Sequence, residues 1–315
     1  MDAYNQTTVT HFILIGLSDC PEVRYPLFVV FTIIYQVTVG GNGAILLAIG
    51  TEKKLHTPMY YFLASLSLLD IFCPSVTVPK MLENLLTEKH SISFTGCALQ
   101  LYFLVALVGT EVFLLSVMAY DRYVAICFPL RYTLIITKVR CVKLTAGTWT
   151  AGFLNSLLHT VSMFHLSFCK SNQVNQYYCD IPPVLVLSCS STYVAEMLIL
   201  VLGGILGISS FLVTFISYFY IVSAILKIQS TGGKHKAFST CASHLLVVCL
   251  FGGTTVFTYV RPYSSQHFPA RDRLISMLYG IITPMLNPMI YSLRNTEVKG
   301  ALRRVLCHRV YSLQV

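Results

Sequence analysis

The chain has 315 residues, of which 55% are hydrophobic and only 11% are charged, and its formal net charge is +9. A soluble domain of this length carries about 25% charged residues, because its exterior must face water. This chain lacks the charge to cover such an exterior. The composition therefore excludes an ordinary soluble protein and predicts a surface that is mostly in contact with lipid.

Long windows with no charged residue, or with a single acid, divide the chain. Each window reaches the roughly 20 residues that a helix needs to cross about 30 Å of hydrocarbon. In chain order they are 25–51, 55–79, 90–120, 144–169, 197–226, 237–260 and 274–293. We predict an all-α membrane protein, a seven-transmembrane helix bundle over residues 26–293, with tails at 1–25 and 294–315.

The basic residues predict the orientation of this bundle. Fifteen of the 22 Lys and Arg residues fall at one set of span ends and seven at the other, and basic residues collect on the cytoplasmic side. The N-terminus is therefore expected outside, the C-terminus in the cytoplasm, and the first span as an uncleaved signal-anchor. The basic excess then indicates contact with anionic lipid and no nucleic acid. The outer tail carries the sequon Asn5-Gln6-Thr7, which predicts glycosylation of Asn5.

Four of the eleven cysteines lie at the outer end of the third span or in the loop between spans four and five: Cys97, Cys169, Cys179 and Cys189. The outer compartment is oxidising, so disulfides are expected there. Four cysteines permit three pairings, and their spacing alone does not choose among them.

Two acids, Asp70 and Glu111, lie inside predicted spans. A carboxylate in lipid is costly, so each must face the bundle interior and find polar partners such as Asn42 or Asn287. Two close carboxylates cannot both ionise cheaply, so one takes a proton or a cation lies between them. A purely structural polar network or a proton relay would use the same residues, and the sequence leaves these alternatives open.

Asp121 and Arg122 stand together at the cytoplasmic end of the third span. They form either an interfacial charge pair that stops the helix sliding into lipid, or a latch in which Asp121 holds Arg122 until a cytoplasmic partner takes it. In the last span, Pro284 and Pro288 predict a bend, with Tyr291 just beyond it.

Six blocks of sequence occur in order along the chain: Gly41-Asn42, LHTPMYYFLASLSLLD at 55–70, MAYDRYVAIC at 118–127, Ser217-Tyr218, KAFSTCASHL at 236–245 and PMLNPMIY at 284–291. Together they resemble the rhodopsin-like G-protein-coupled receptors, and specifically the terrestrial-type odorant (olfactory) receptors. Two positions depart from that pattern. Gly252 stands where these receptors usually carry an aromatic residue, and Gln176 where they usually carry histidine.

The resemblance implies roles for particular residues. It implies the disulfides Cys97–Cys179 and Cys169–Cys189. It also implies a sodium-type site with Asp70 as the main ligand, beside Asn42 and Glu111, and no other cofactor. The residues implied for G-protein coupling and activation are Asp121, Arg122, Tyr123, Tyr218, Asn287, Pro288 and Tyr291.

The third span has no acid near Leu104 to pair with an amine, and 274–293 has no lysine for a retinal Schiff base. These features predict a neutral, mostly apolar pocket for a small hydrophobic ligand. By the geometry of the family its walls would be Leu104, Val105, Val108, Gly109, Leu202, Leu206, Thr255, Val256, Tyr259, Met277 and Gly280. Tyr259 is expected to be the main polar contact.

The resemblance implies an odorant receptor of the plasma membrane. It would bind a small volatile compound and activate a heterotrimeric G protein of the stimulatory olfactory type to raise cAMP. The alternatives are a non-olfactory chemosensory receptor of the same fold, or a transporter. A transporter would show inverted repeats and matching broken helices. An enzyme is not expected, because the chain has neither an HExxH motif nor a Gly-rich phosphate loop that precedes a lysine.

Overall fold

The computed structural model describes residues 9–17, 20–87, 90–169, 171–227, 229–259, 269–294 and 297–304. Its helices in chain order are α1 (Pro21–Thr51), α2 (Pro58–Leu86), α3 (Phe94–Cys127), α4 (Tyr132–Ile135), α5 (Lys138–Phe164), α6 (Ile181–Leu185), α7 (Tyr193–Leu198), α8 (Gly204–Lys227), α9 (Thr231–Tyr259), α10 (Pro269–Met277) and α11 (Thr283–Arg294). A last short helix covers 297–304. The π-helical turns Ile199–Gly203 and Leu278–Ile282 join α7 to α8 and α10 to α11. Each predicted span therefore falls on one helix or on two helices joined by a π turn.

The described helices differ in how apolar they are. Four stretches are long and apolar enough to cross a membrane: Pro21–Thr51, Pro58–Leu86, Phe94–Cys127 and Tyr193–Lys227. α9 contains a shorter apolar stretch, Cys241–Thr255. α5 is more polar because Thr, Ser, Gly, Asn and His recur along it, and the last span is divided by its π turn. Small and hydroxylated residues suit helices that pack closely on their neighbours within a membrane.

Local chemistry explains where the helices begin. α2 begins at Pro58, directly after Thr57, where the missing N–H of proline costs nothing. The Thr57 side chain makes no capping hydrogen bond, so the fixed backbone of proline defines this start. At the start of α3 the Ser93 hydroxyl accepts a hydrogen bond from the Gly96 N–H at 3.0 Å.

α3 is the central helix and contacts α2, α5, α8 and α9. Its approach to α5 is close at Gly152. A Cβ atom on Gly152 would lie 2.7 Å from the Ala106 carbonyl oxygen and 2.8 Å from the Thr110 backbone nitrogen. Only glycine fits there, and it lets the two backbones meet. On the other side of the bundle α1 packs on α2 and α11.

A small sheet and two disulfides close one end of the bundle, which we call the capped end. Strand β1 (His11–Leu14) pairs antiparallel with β2 (Ser91–Ser93) and parallel with β3 (Gln173–Val174). Phe12 and Leu14 of β1 are fully buried beneath the loops. Residues 11–14 are therefore part of the folded cap, although the sequence predicted a tail over 1–25.

The cap contains both disulfides that the resemblance implied. Cys97 at the start of α3 is bonded to Cys179, with their Cα atoms 5.5 Å apart. Cys169 is bonded to Cys189 inside the same loop, at a Cα separation of 5.8 Å. The long loop between α5 and α7 is thus tied to α3 and closed on itself.

The opposite end carries α4 and the helix at 297–304. Val298 and Ala301 are fully buried there, so this helix is folded against the bundle. Arg304 forms an ion pair with Glu52 at 2.6 Å. The hydrogen bond and charge of Arg304 lower the pKa of Glu52, which therefore stays ionised. The predicted C-terminal tail at 294–315 thus begins with ordered helix, and residues 305–315 lie outside the described part of the chain.

Candidate functional site

Asp70 of α2 and Glu111 of α3 are both about 1% exposed in the bundle interior. The side-chain amide of Asn287 on α11 donates to both carboxylate oxygens of Asp70, at 2.9 and 3.1 Å. Asp70 and Glu111 interact electrostatically with one another. The structure therefore brings together three residues that the sequence assigned to this network.

Asn42 of α1 is tied to α11, the helix that carries Asn287. Its amide donates to the backbone oxygens of Thr38, at 3.0 Å, and of Pro284 in α11, at 3.1 Å. The amide oxygens of Asn42 and Asn287 and both carboxylate oxygens of Glu111 have no hydrogen-bond partner among the described residues. Buried acceptors are normally satisfied. The unsatisfied oxygens of Glu111 and Asn287, beside the Asp70 carboxylate, are suited to a hard cation or to shared protons.

At the opposite end of α3, Asp121 and Arg122 are both buried. The Tyr132 hydroxyl of α4 donates to an oxygen of the Asp121 carboxylate at 2.8 Å. Burial and the adjacent Asp121 charge raise the pKa of Tyr132, which keeps this hydroxyl protonated. In the described part of the chain no ion pair joins Asp121 to Arg122. The charge of Arg122 still acts on Asp121, whose carboxylate is hydrogen-bonded by Tyr132, and the latch in which Asp121 holds Arg122 stays a prediction.

Tyr218 of α8 contacts α9 close to Arg122. Its hydroxyl lies 2.7 Å from Nδ1 of His244 and donates to the Cys241 carbonyl oxygen at 3.3 Å. The Tyr218 and His244 rings are nearly parallel, 5.8 Å apart. The charge of Arg122 acts on both Cys241 and His244. His244 lies in the block at 236–245, and the sequence predicted no role for it. The available signal was an imidazole directly before the apolar run 245–251.

Tyr123 and Leu130 lie at this same end. The Tyr123 ring packs against Phe128 and Tyr220, with both centroid distances at 5.7 Å. Leu130, in the turn that follows α3, is 95% exposed, and Leu134 in α4 is 73% exposed. Sequence reasoning missed these two leucines, because composition does not show which apolar residues outside the long spans remain exposed.

Pro288 of α11 packs against Gly41 of α1. This contact joins the sequence block PMLNPMIY at 284–291 to the block Gly41-Asn42. A Cβ atom on Gly41 would lie 3.3 Å from the Pro288 Cβ atom. Pro288 lies inside the helix, and α11 continues past it to Arg294. The side chain of Tyr291 lies outside the described part, as does the sequon residue Asn5.

Three of the four pocket residues predicted on α3 point into the bundle. Leu104, Val105 and Val108 are buried, and Leu104 and Val108 belong to the main apolar core. Gly109 does not match its predicted role, because a Cβ atom there would face the Gly152 Cα atom at 3.6 Å. Gly109 therefore belongs to the contact between α3 and α5, and a glycine has no side chain to reveal this direction in the sequence.

The remaining predicted pocket residues lie on α8, α9 and the last span. Leu202 and Leu206 flank the start of α8 and are half-buried. The Thr255 hydroxyl donates to the Phe251 carbonyl oxygen at 2.7 Å, so its hydrogen is used within α9. Met277 packs on the main core and Gly280 lies buried in the π turn. The side chains of Val256 and Tyr259 fall beyond what the structure describes.

The long loop reaches into the bundle at the capped end. The hydroxyls of Tyr178 and Tyr279 lie 2.6 Å apart, and both contact the same Asp180 oxygen, at 3.3 and 3.2 Å. The other Asp180 oxygen accepts from the Ile181 N–H at 2.8 Å. All three side chains are almost completely buried. Tyr178 and Tyr279 were not predicted to act at the site, since they lie 101 residues apart.

The two departures from the family pattern have local explanations. The Gln176 amide donates to the Ser276 hydroxyl at 3.1 Å, which ties the loop to α10. A Cβ atom on Gly252 would meet nothing within 4 Å in the described structure, so this position has room for a side chain. Neither departure disturbs the packing around it.

Known proteins resemble this chain over nearly its whole length. The family model described as "Olfactory receptor" matches residues 31–309. The chain is 48% identical to "Olfactory receptor 8U9" of Homo sapiens, over 98% of this chain and 100% of the relative. It is 47% identical to "Olfactory receptor 1F1" of Homo sapiens, over 99% and 100% respectively. It is 48% identical to "Olfactory receptor 5J2" of Homo sapiens, over 96% of each. The chain therefore belongs to the olfactory receptor family of odorant-sensing, seven-helix G-protein-coupled receptors, and it is not an enzyme.

Proposed function

We propose that this receptor lies in the plasma membrane and binds a small, mostly apolar volatile compound beneath the capped end. Ligand binding then activates a heterotrimeric G protein of the stimulatory olfactory type, which raises cAMP. The observation that carries the ligand class is the neutral, apolar lining of α3, where Leu104, Val105 and Val108 are buried. Asp180, a buried acid at the capped end, already accepts hydrogen bonds from Tyr178, Tyr279 and a backbone N–H. A cationic ligand would have to displace those bonds.

A screen of volatile compounds tests this proposal. In cells that express the receptor, neutral compounds should raise cAMP, while primary amines of the same carbon skeleton should not. Tyr259→Phe should then weaken the potency of the active compound roughly threefold to tenfold, because one neutral hydrogen bond contributes about 0.5–1.5 kcal/mol. An amine as the strongest agonist would contradict the proposal. Unchanged potency in Tyr259→Phe would move the polar contact to another residue.

The opposite end supports coupling to a G protein. Arg122, Tyr218 and His244 meet between α3, α8 and α9, and the exposed Leu130 lies just beyond α3. A cationic mouth beside an exposed apolar side chain offers a partner both charge-assisted hydrogen bonds and an apolar anchor. Because the G protein is in the cytoplasm, this coupling requires that the opposite end of the bundle faces the cytoplasm.

Glycosylation of the N-terminal tail checks this orientation. If the capped end faces outside, Asn5 in its sequon is exposed to the glycosylation machinery. Asn5→Gln should abolish the shift in electrophoretic mobility that an N-glycosidase produces in the unchanged receptor. Thr7→Ala should have the same effect, because it destroys the sequon without removing the asparagine. A glycosidase-sensitive band that survives in both variants would show that the sugar is attached elsewhere.

The Asp70 and Glu111 cluster is proposed to hold a sodium ion, with Asp70 as its main ligand. The unsatisfied oxygens of Glu111, Asn42 and Asn287 supply further ligands of the type that a hard cation prefers. A cation that binds only the folded receptor stabilises it by about 1.4 kcal/mol at ten times its dissociation constant. The thermal midpoint of the purified receptor should therefore be higher in NaCl than in choline chloride of equal ionic strength.

Glu111→Gln should remove this sodium effect, because the amide keeps the shape of the side chain but has no negative charge to balance that of the ion. Asn84→Asp, which adds an acid elsewhere on α2, serves as the control and should leave the effect in place. If the thermal midpoint of the unchanged receptor is the same in both salts, the cluster is a proton-sharing or purely structural network.

A further inference from the structure

Two polar side chains lie one helical turn apart on α5 without a hydrogen-bond partner in the described chain. The side chain of His159 is 4% exposed, and its ring makes no hydrogen bond to any described residue. The side-chain oxygen of Asn155 is buried and also lacks a described partner. Residues four apart on a helix are neighbours on its surface. Because buried polar groups are normally hydrogen-bonded, this pair is suited to a polar group that comes from outside the chain.

The face of α5 that carries His159 is turned towards α3 and the π turn before α8. Three residues before His159, the Ser156 hydroxyl donates to a backbone carbonyl oxygen of α3 at 2.5 Å. Four residues after it, Met163 belongs to one apolar cluster with Val105 of α3 and Ile199 of the π turn. Side chains three and four residues apart share one face of a helix. The polar pair therefore lies beside the wall of the predicted odorant pocket that α3 and this π turn form.

The chemistry of the pair selects the group that fits it. The Asn155 oxygen only accepts a hydrogen bond, whereas a neutral imidazole has one donor and one acceptor nitrogen. A single hydroxyl group can donate to the Asn155 oxygen and accept from the His159 ring. A carbonyl group only accepts, so it would leave the Asn155 oxygen without a partner. An ionised group would be an uncompensated charge, because the cluster that packs along this face is apolar.

We propose that the ligand of this receptor carries a hydroxyl group, which donates to Asn155 and accepts from His159. The inference rests on the proposed function and narrows the ligand class to alcohols and phenols. The apolar remainder of the ligand lies along Val105 and Ile199. This contact is separate from the one expected at Tyr259, whose hydroxyl can donate to a carbonyl or ether oxygen as well as to an alcohol.

The test adds alcohols and their methyl ethers to the volatile screen, among them octanol, cyclohexanol and benzyl alcohol, each with the methyl ether of the same skeleton. The active alcohol should be roughly threefold to tenfold more potent than its ether, which keeps an acceptor oxygen but cannot donate to Asn155. A receptor that responds to other neutral compounds but to no alcohol, or equally to alcohol and ether, would overturn the inference and leave the proposed function in place. A receptor that responds to no neutral compound would contradict the proposed function itself.

Variants at matched surface expression localise the contact. His159→Phe keeps a ring without nitrogens and Asn155→Leu removes the oxygen, so each should weaken the alcohol roughly threefold to tenfold and leave the ether unchanged. His159→Gln keeps a donor and an acceptor and should retain part of the preference for the alcohol. His165→Phe makes the same substitution at an exposed position directly after α5 and should leave both potencies unchanged.

Two results would overturn the assignment. Equal losses for alcohol and ether in His159→Phe would show that the ring acts only by packing. An unchanged preference for the alcohol in both His159→Phe and Asn155→Leu would show that a water molecule, and not the ligand, satisfies this pair.

Discussion

Gly152→Ala is expected to remove most of the receptor from the cell surface. The new Cβ atom would lie 2.7 Å from the Ala106 carbonyl oxygen and 2.8 Å from the Thr110 backbone nitrogen, and it would overlap the Thr110 hydroxyl oxygen. Two of these three atoms belong to the backbone of α3, so they cannot rotate away. Overpacking of this kind costs about 1–3 kcal/mol. One or two kcal/mol changes the ratio of folded to unfolded protein roughly 5- to 30-fold. Flow cytometry of an N-terminally tagged receptor measures the loss.

Gly147→Ala is the matched control on the same helix. A Cβ atom on Gly147 meets nothing within 4 Å in the described structure. Alanine is favoured over glycine inside a helix by about 1 kcal/mol, so this variant should reach the surface at least as well as the unchanged receptor. Gly109→Ala should also be tolerated, because its Cβ atom would make an ordinary contact at 3.6 Å. Equal surface levels for Gly152→Ala and Gly147→Ala would contradict the close approach of α3 and α5.

Arg122→Ala is expected to abolish the cAMP response while the receptor remains at the cell surface. Arg122 is buried at the mouth between α3, α8 and α9 and forms no ion pair with Asp121 in the described structure, so we expect a bound partner to engage its guanidinium. Arg122→Lys keeps the charge but loses the planar fork of donors, so it should retain only a small part of the response. Dose–response curves at matched surface expression measure both effects.

Arg303→Ala is the control for the loss of one positive charge at the same end of the molecule. Arg303 is exposed on the helix at 297–304, and its removal should leave the maximal response unchanged. A normal response in Arg122→Ala at matched surface expression would remove Arg122 from the coupling surface. If Arg303→Ala fails as well, general charge at this end, and not the position of Arg122, supports the coupling.

The sequence by itself determined the fold class and the membrane spans. A membrane span has few charged residues because an ionised group in lipid is costly, and this holds however the helices are arranged. The spans can therefore be found from the sequence alone. The same reasoning required Asp70 and Glu111 to face the interior, where both are buried. Six short blocks were sufficient to identify the family, because they occur in order over nearly the whole chain.

Contacts between helices were decided only by the tertiary structure. The sequence left three cysteine pairings open, and the structure brings Cys97 next to Cys179 and Cys169 next to Cys189. It also turns Gly109 towards α5 and places the Tyr132 hydroxyl in a hydrogen bond to the Asp121 carboxylate. Hydropathy states that a residue is buried but not which neighbour it meets. Which neighbour a residue meets depends on how each helix is rotated and how closely it approaches the next helix. Neither the rotation nor the approach can be read from the presence of a glycine or a tyrosine in the sequence.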